Sequence, residues 1–473
     1  MHRSNRSKGW RRTSAALVGA AIAGCVALGG GLAASACSTV PSGGYDPFTD
    51  AGNLYEPSPD VIIGSATGAL KTWPPPGTAP CSVPDQCPGD PGANAIYVTI
   101  SGESNAIIGY PFPPDNFETD TYMVDGWEFH VDEYIVVVDH VVLWSNPNAN
   151  LTDQGDLANM TQVAHLDGPF VVDLHKGGRI IGQGGSPEEA TPLGVIGNQN
   201  DNGNAPFDPT TTYGFGFSTV QATYDAYNVN LDEGEAADFA LMVQNGYSVF
   251  YSGTARWNGG ASPYGCTQTS TDVDGGYDFT KLPATMSFKL GFATPTNYVN
   301  CQNMSLQAVP NPGEDYPRGI QTSPSQSAIA QVTVHMDHPF WESFAENSPV
   351  HWDDIAAQYV GQPSPTATIE DMKGVPFYAF TDSTGAPLPW RSCSGTYYTP
   401  PGNGQMFFST LSVPVNPQGT CTGTVGQDYT KANCPAIRDY YDYIRYSQST
   451  QGHLNSQGLC FIDRQYPAPA GGS

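Results

Sequence analysis

The chain has 473 residues, with 18 Lys and Arg against 45 Asp and Glu and a formal net charge of −27. A field of that sign repels phosphate backbones, which excludes nucleic acid as a partner. Charged residues make up only 13% of the chain while Gly (53) and Pro (41) are abundant, so the fold is expected from short strands and turns rather than long helices.

The first 36 residues read as an export signal. Arg3, Arg6, Lys8, Arg11 and Arg12 form a basic start without an acidic residue, and Ala15 to Ala36 is small and apolar apart from Ser35. The end of this run resembles the bacterial lipoprotein signal at either of two cysteines. Ile22-Ala23-Gly24-Cys25 has the better lipobox side chains, and Ala34-Ser35-Ala36-Cys37 the better position, ahead of a polar linker. Cleavage at Cys25 would leave Val26-Ala27-Leu28 as an apolar stub, so Cys37 is the expected site of lipidation. That implies a membrane partner through a lipid anchor, at the cell envelope or outside it; no feature names a protein partner. Ala34-x-Ala36 also fits ordinary signal peptidase, which would release a secreted form, and Arg11-Arg12 is a twin-arginine export pattern. Beyond residue 36, 13 Lys and Arg remain against 45 Asp and Glu, a net charge near −32.

Residues 37–92 are rich in Pro, Gly and Ser and read as a tether. A β-sandwich-like domain is expected over 93–307. It opens on Ala95 to Ile100 and includes Trp127 to Trp144, where Tyr134-Ile135-Val136-Val137-Val138 is apolar on both faces, as in a strand buried between layers. Further strands are expected at Phe170 to Leu174, Tyr213 to Thr219, Tyr247 to Trp257 and Thr285 to Phe292. One helix is expected among them, capped by Asp232-x-x-Glu235, with Ala236, Phe239, Ala240 and Val243 on one face and Gly246 at its end. Residues 308–326 read as a linker and 327–466 as a β-rich domain with short helices, followed by a tail over 467–473. In that domain a strand is expected over Val332 to His338. One helix follows Ser348-Pro349 and carries Trp352, Ile355, Ala356 and Tyr359, and another starts near Pro435 and carries Ile437, Tyr440, Tyr441 and Ile444. The fold class is mainly β: one or two antiparallel sandwich-like domains with a few short helices.

Eight cysteines lie beyond the signal, an even number that in an exported chain reads as disulfides. Chain proximity suggests Cys81 with Cys87, Cys266 with Cys301, Cys421 with Cys434 and Cys393 with Cys460.

Catalytic motifs are missing from the sequence: no Gly-x-Ser-x-Gly, no His-Glu-x-x-His, no phosphate-binding glycine loop. That counts against an enzyme and leaves histidines as the informative residues. His335-Met336-Asp337-His338-Pro339, with His351 at a following helix start, places three imidazoles within seventeen residues. Pro339 is expected to turn the chain so that both histidines face one pocket, with Asp337 or Met336 assisting. Imidazole with carboxylate or thioether suits copper or zinc. His130 with Asp132, and His175 beside Asp173, are secondary metal candidates because residues i and i+2 of a strand share a face. Calcium is the lesser candidate: Asn198-x-Asn200-x-Asn202-Gly203 and Asp272-x-Asp274-Gly275-Gly276-x-Asp278 space their oxygens suitably, but both lack a Glu at the twelfth position. The Trp127 to Trp144 segment with the later histidines resembles periplasmic copper-binding proteins without matching a defining motif. Three function classes follow: an exported metal-binding protein, a non-catalytic ligand-binding or structural lipoprotein, and an exported hydrolase of unrecognised type.

Overall fold

The apolar run at Tyr134–Val138 organises the molecule. In the computed structural model, which describes residues 64–65, 68–73, 94–117, 120–178, 180–181, 189–260, 266, 281–325, 327–341, 349–375, 393 and 440–466, Trp127–Trp144 is one strand of 18 residues. All five residues of the run are fully buried. Successive strand side chains point to opposite faces, so the run feeds two cores at once. Tyr134, Val136 and Val138 join the main cluster, whereas Ile135 and Val137 pack with Val171, Phe239, Met242 and Phe250 on the other face.

That second face is covered by the helix Ala236–Asn245, which buries Phe239 and Met242. Its start has the expected reciprocal bonding of Asp232 and Glu235, on a short 3-10 turn ahead of the α-helix. Gly246 ends it in the left-handed region at φ 67°, where a residue without Cβ carries no steric cost.

Among the described residues the strands form two mixed sheets, of twelve and six strands, and one two-stranded ribbon. The chain is therefore mainly β, with few and short helices. In the larger sheet Trp127–Trp144 pairs antiparallel with Val249–Trp257, Thr212–Thr219, Gln162–Leu166 and Phe170–Asp173 along its length. In the smaller sheet Ile96–Ser101 lies antiparallel to Glu189–Ile196 and parallel to Ala328–Val334, which in turn pairs antiparallel with Gly452–Leu454.

These pairings do not follow the expected division at 308–326. Strands from both sides of that segment share each sheet: Ala328–Val334 joins Ile96–Ser101, and Phe461–Arg464 joins Thr296–Val299. The segment itself contributes Ile320–Gln321 to a pairing with Thr212–Thr219 and buries Arg318. Proline content marks where a strand cannot run, but it does not mark where a domain ends.

Two disulfides are described, Cys266–Cys393 and Cys301–Cys460. They correct the expected pairing of Cys266 with Cys301 and of Cys393 with Cys460. The sheet decides the second bridge: Val299 is opposite Phe461 in an antiparallel ladder, which brings the residues just beyond, Cys301 and Cys460, together. At the first, Cys393 N–H donates to Val124 O and Cys266 N–H to Gly259 O, around Gly126. Cys81, Cys87, Cys421 and Cys434 lie outside the described residues, as do Cys25 and Cys37. Bridges of this kind form in oxidising compartments and suggest an exported location.

The helix expected after Pro349 starts later, at Asp353–Ala356, and continues as a 3-10 turn over Ala357–Tyr359. Val350 is held extended by bridges to Met123 and Trp341. Trp352, Ile355, Ala356 and Tyr359 are all buried, as their spacing predicts. The last helix is described over Tyr440–Gln448; Pro435, Ile437 and Arg438 fall outside the described residues.

Glu103–Ile108, a six-residue helix packed against Trp127–Trp144, ends at Gly109 with φ 72° and ψ −154°. A Cβ there would stand 2.1 Å from Phe129 O, and that backbone region is essentially restricted to glycine. Gly109→Ala is expected to cost about 1–3 kcal/mol from backbone strain alone, read as a lower urea midpoint with an unchanged slope. An unshifted midpoint would contradict it.

Candidate metal centre

Three imidazoles converge where the smaller sheet meets the carboxy-terminal hairpin. The strand Ala328–Val334 ends at Val334, and His335 follows with its N–H donating to Gln451 O. Pro339 lies in the first turn of a 3-10 helix over His338–Phe340, which reverses the chain and returns His338 toward His335. His453 sits in the strand Gly452–Leu454, opposite Thr333 in the ladder. The rings of His335 and His453 stack at 4.2 Å, and His338 stands edge-on to both, 5.5 and 5.6 Å away. One donor atom from each histidine lies within 4.8 Å of the others, and all three residues are buried.

Hydrogen bonds set which nitrogen is bare. Thr450 Oγ1 donates its single proton to Ser447 O at 2.7 Å. With that bond made, the same oxygen accepts from His338 Nδ1–H, 2.6 Å away, and in this tautomer Nε2 is the bare nitrogen. His338 Nε2 is buried with no hydrogen-bond partner. His453 is oriented by backbone groups of Thr450 and Gln457, and its Nδ1 is likewise buried without a partner. His335 Nε2 donates to Ser456 O at 2.9 Å and lies 3.3 Å from Glu103 Oε1, which also accepts from Ser456 Oγ. Glu103 and Ser456 both hold left-handed backbone, at φ 62° and 72°, a conformation unusual for residues with a Cβ. It places a carboxylate and a carbonyl beside the same ring.

Burial pushes the His338 imidazole well below its ordinary pKa, and the neighbouring His335 and His453 push it further. Burial and His335 do the same to His453. Both rings are neutral at pH 7, the state that ligates. A cavity of about 100 Å³ opens onto them, bordered by the carboxylates of Glu103 and Asp337. Trp341 stacks on His338 at 3.7 Å and donates its indole N–H to Asp337 Oδ2 at 2.9 Å.

Compared with known proteins, the chain matches no family model, no curated protein and no solved structure. The geometry alone carries the functional reading. Among the described residues, His335, His338 and His453 are the one group of three or more such donors placed to hold an ion.

Of the residues expected at the site, His335 and His338 are brought together with Asp337 beside them. His351 is not part of the group. Its N–H donates to Phe340 O, and its Nδ1 lies 3.9 Å from Asp125 Oδ2 in a separate buried cluster with Asp353 and Asp354. Burial and the Asp353 charge raise Asp125 to about 7, against the opposing pull of His351. His453 takes the third place. Only strand register brings it in, since it lies far along the chain from His338 and carries no local motif. His130 and Asp132 do share a strand face, but it is a solvent face, with 4.0 Å between the two groups. His175 Nδ1 is engaged with Ala106 O, and Asp173 Oδ1 accepts from the backbone of Tyr134 and His175. In the Asn198 to Gly203 turn, Asn200 bonds His165 through both side-chain atoms and Asn202 bonds Gln199, so these amides close the turn. The Asp272 to Asp278 loop lies outside the described residues.

Proposed function

We propose that this chain is an exported metal-binding protein of the cell envelope, anchored by a lipid on Cys37, whose ion of the zinc or copper type is held by His335, His338 and His453. The observation that carries the reading is the pair of buried, partnerless imidazole nitrogens on His338 and His453 within reach of a third ring. Buried polar atoms are almost always satisfied, and an ion satisfies these together. Neutral rings, each oriented by an oxygen on its other side, match the way metal-bound histidines are supported. Export is supported by the basic and apolar amino terminus and by the disulfides. No helix among the described residues is long and apolar enough to cross a membrane; the lipid attachment rests on Cys37, which follows the apolar run and precedes a polar linker.

Elemental analysis of protein purified from the envelope of its producing cells tests the site. Near-stoichiometric zinc or copper is expected, and its loss in a His338→Ala, His453→Ala variant. An ion content unchanged by that variant would remove the support for this site. The anchor is tested separately, by intact mass: an acylated Cys37 at the mature amino terminus is expected, and an unmodified Cys37 overturns it.

Thr450 supplies a sharper test, because it touches no ion. Thr450→Val keeps the shape of the side chain but removes the oxygen that holds the His338 proton on Nδ1, and such supporting groups typically change metal affinity by about 10–100-fold. A weakening in that range is expected in a competition titration against a chromophoric chelator. Affinity equal to that of the natural protein would show that the hydrogen bond does not set the ligating nitrogen.

A further inference from the structure

We propose that Asp337 is the fourth ligand of this centre and the residue that selects a divalent, zinc-type ion over a cuprous one. The inference rests on the metal reading above and extends it to coordination number and metal class. Three further residues with thioether or carboxylate donors border the cavity: Met336, Glu103 and Asp337. They imply different metals. A neutral thioether with imidazoles suits cuprous copper, whereas a carboxylate with imidazoles suits a harder divalent ion.

The carboxylate is the one aimed at the bare nitrogen. Asp337 Oδ1 lies 4.0 Å from His338 Nε2, the ring nitrogen left bare when Nδ1–H donates to Thr450 Oγ1. Two lone pairs facing each other at that distance repel unless something positive stands between them. The gap is too long for a hydrogen bond; two donors on a tetrahedral ion with bonds of about 2.0–2.2 Å stand about 3.3–3.6 Å apart, so binding would draw these two atoms together by about half an ångström. The other oxygen, Oδ2, accepts the Trp341 indole N–H, which holds the carboxylate plane and turns Oδ1 inward. Glu103, the second carboxylate at the cavity, has another duty: its Oε1 accepts from Ser456 Oγ and faces the N–H edge of His335. The result is a three-nitrogen, one-oxygen set suited to tetrahedral coordination, with Asp337 as ligand and Trp341 as its positioning residue.

The experiment is competition titration with zinc(II) and, under anaerobic reducing conditions, with copper(I). The full mature chain is compared with Asp337→Asn, Met336→Leu and His338→Ala, each checked for folding by circular dichroism. Asp337→Asn is expected to lower the zinc-to-copper(I) affinity ratio by about tenfold or more, and Met336→Leu to leave zinc affinity as it was. Cobalt(II) gives a second readout that does not depend on affinity: its visible bands, tetrahedral in the natural protein, should change in Asp337→Asn even where binding persists. If zinc binds and is lost in His338→Ala but the ratio and the cobalt spectrum are unmoved in Asp337→Asn, the fourth-ligand assignment falls and the histidine site stands. If the natural protein binds neither ion, or His338→Ala binds as well as it does, the metal reading falls and this proposal with it.

Discussion

Zinc added to the chelator-treated protein should raise its thermal stability, by about 4 kcal/mol when free metal reaches a thousandfold excess over the dissociation constant. A His338→Ala, His453→Ala variant should not respond. The pH dependence follows from burial. Histidine titrates near 6.5 in an unfolded chain, and the folded-state values of His338 and His453 lie well below that. In the metal-free protein the unfolded chain then binds more protons than the folded one as pH falls through about 6.5. The contribution of these two rings is fully present above that point and is lost as pH drops toward their lowered folded values. Metal affinity should hold to more acidic pH than exposed histidines would allow, since the folded rings resist protonation. Thermal scans with and without zinc, on either side of that pH, test both statements. A zinc response equal in the natural protein and the variant would locate the binding elsewhere.

Of the two bridges among the described residues, Cys301–Cys460 should produce the larger loss of stability when removed. It closes a loop of sequence separation 159, for which the chain-entropy account gives about 5 kcal/mol. Cys266–Cys393, with a separation of 127, is of similar size. The two loops interleave along the chain, so each bridge closes a shorter effective loop while the other is present, and losing both should cost more than the two single losses added together. A Cys301→Ala, Cys460→Ala variant is expected to show a much lower urea midpoint and weaker metal binding, because Cys460 lies at the end of the hairpin that carries His453. A loss of stability below about 1 kcal/mol would mean that the ladder between Thr296–Val299 and Phe461–Arg464 holds the hairpin unaided.

What the sequence displayed was local. Alternation and apolar runs located Trp127–Trp144, Thr212–Thr219 and Thr285–Phe292 because a half-buried strand constrains each residue in turn. The capping residues Asp232 and Glu235 located the helix start for the same reason. Partners were not displayed. Nothing in Ile96–Ser101 specifies Ala328–Val334 as its parallel neighbour, and nothing near Cys301 specifies Cys460. The site divided along the same line. His335, Asp337 and His338 were legible because one strand end and one proline turn bring them together. His453 enters by register across the sheet, and His351 is diverted because Val350 is held by two bridges.

The parallel pairing of Ile96–Ser101 with Ala328–Val334 also governs the order of events in folding. A fold dominated by contacts between distant segments must meet its loop-closure entropy before those contacts form, and it folds slowly for that reason. The first strand of the smaller sheet leaves the ribosome long before its neighbour, and the third imidazole emerges later still. No partial chain ending before residue 453 contains the complete set of donors. Capture of the proposed ion can only follow closure of the sheet, so occupancy of this centre would report that the chain has finished folding.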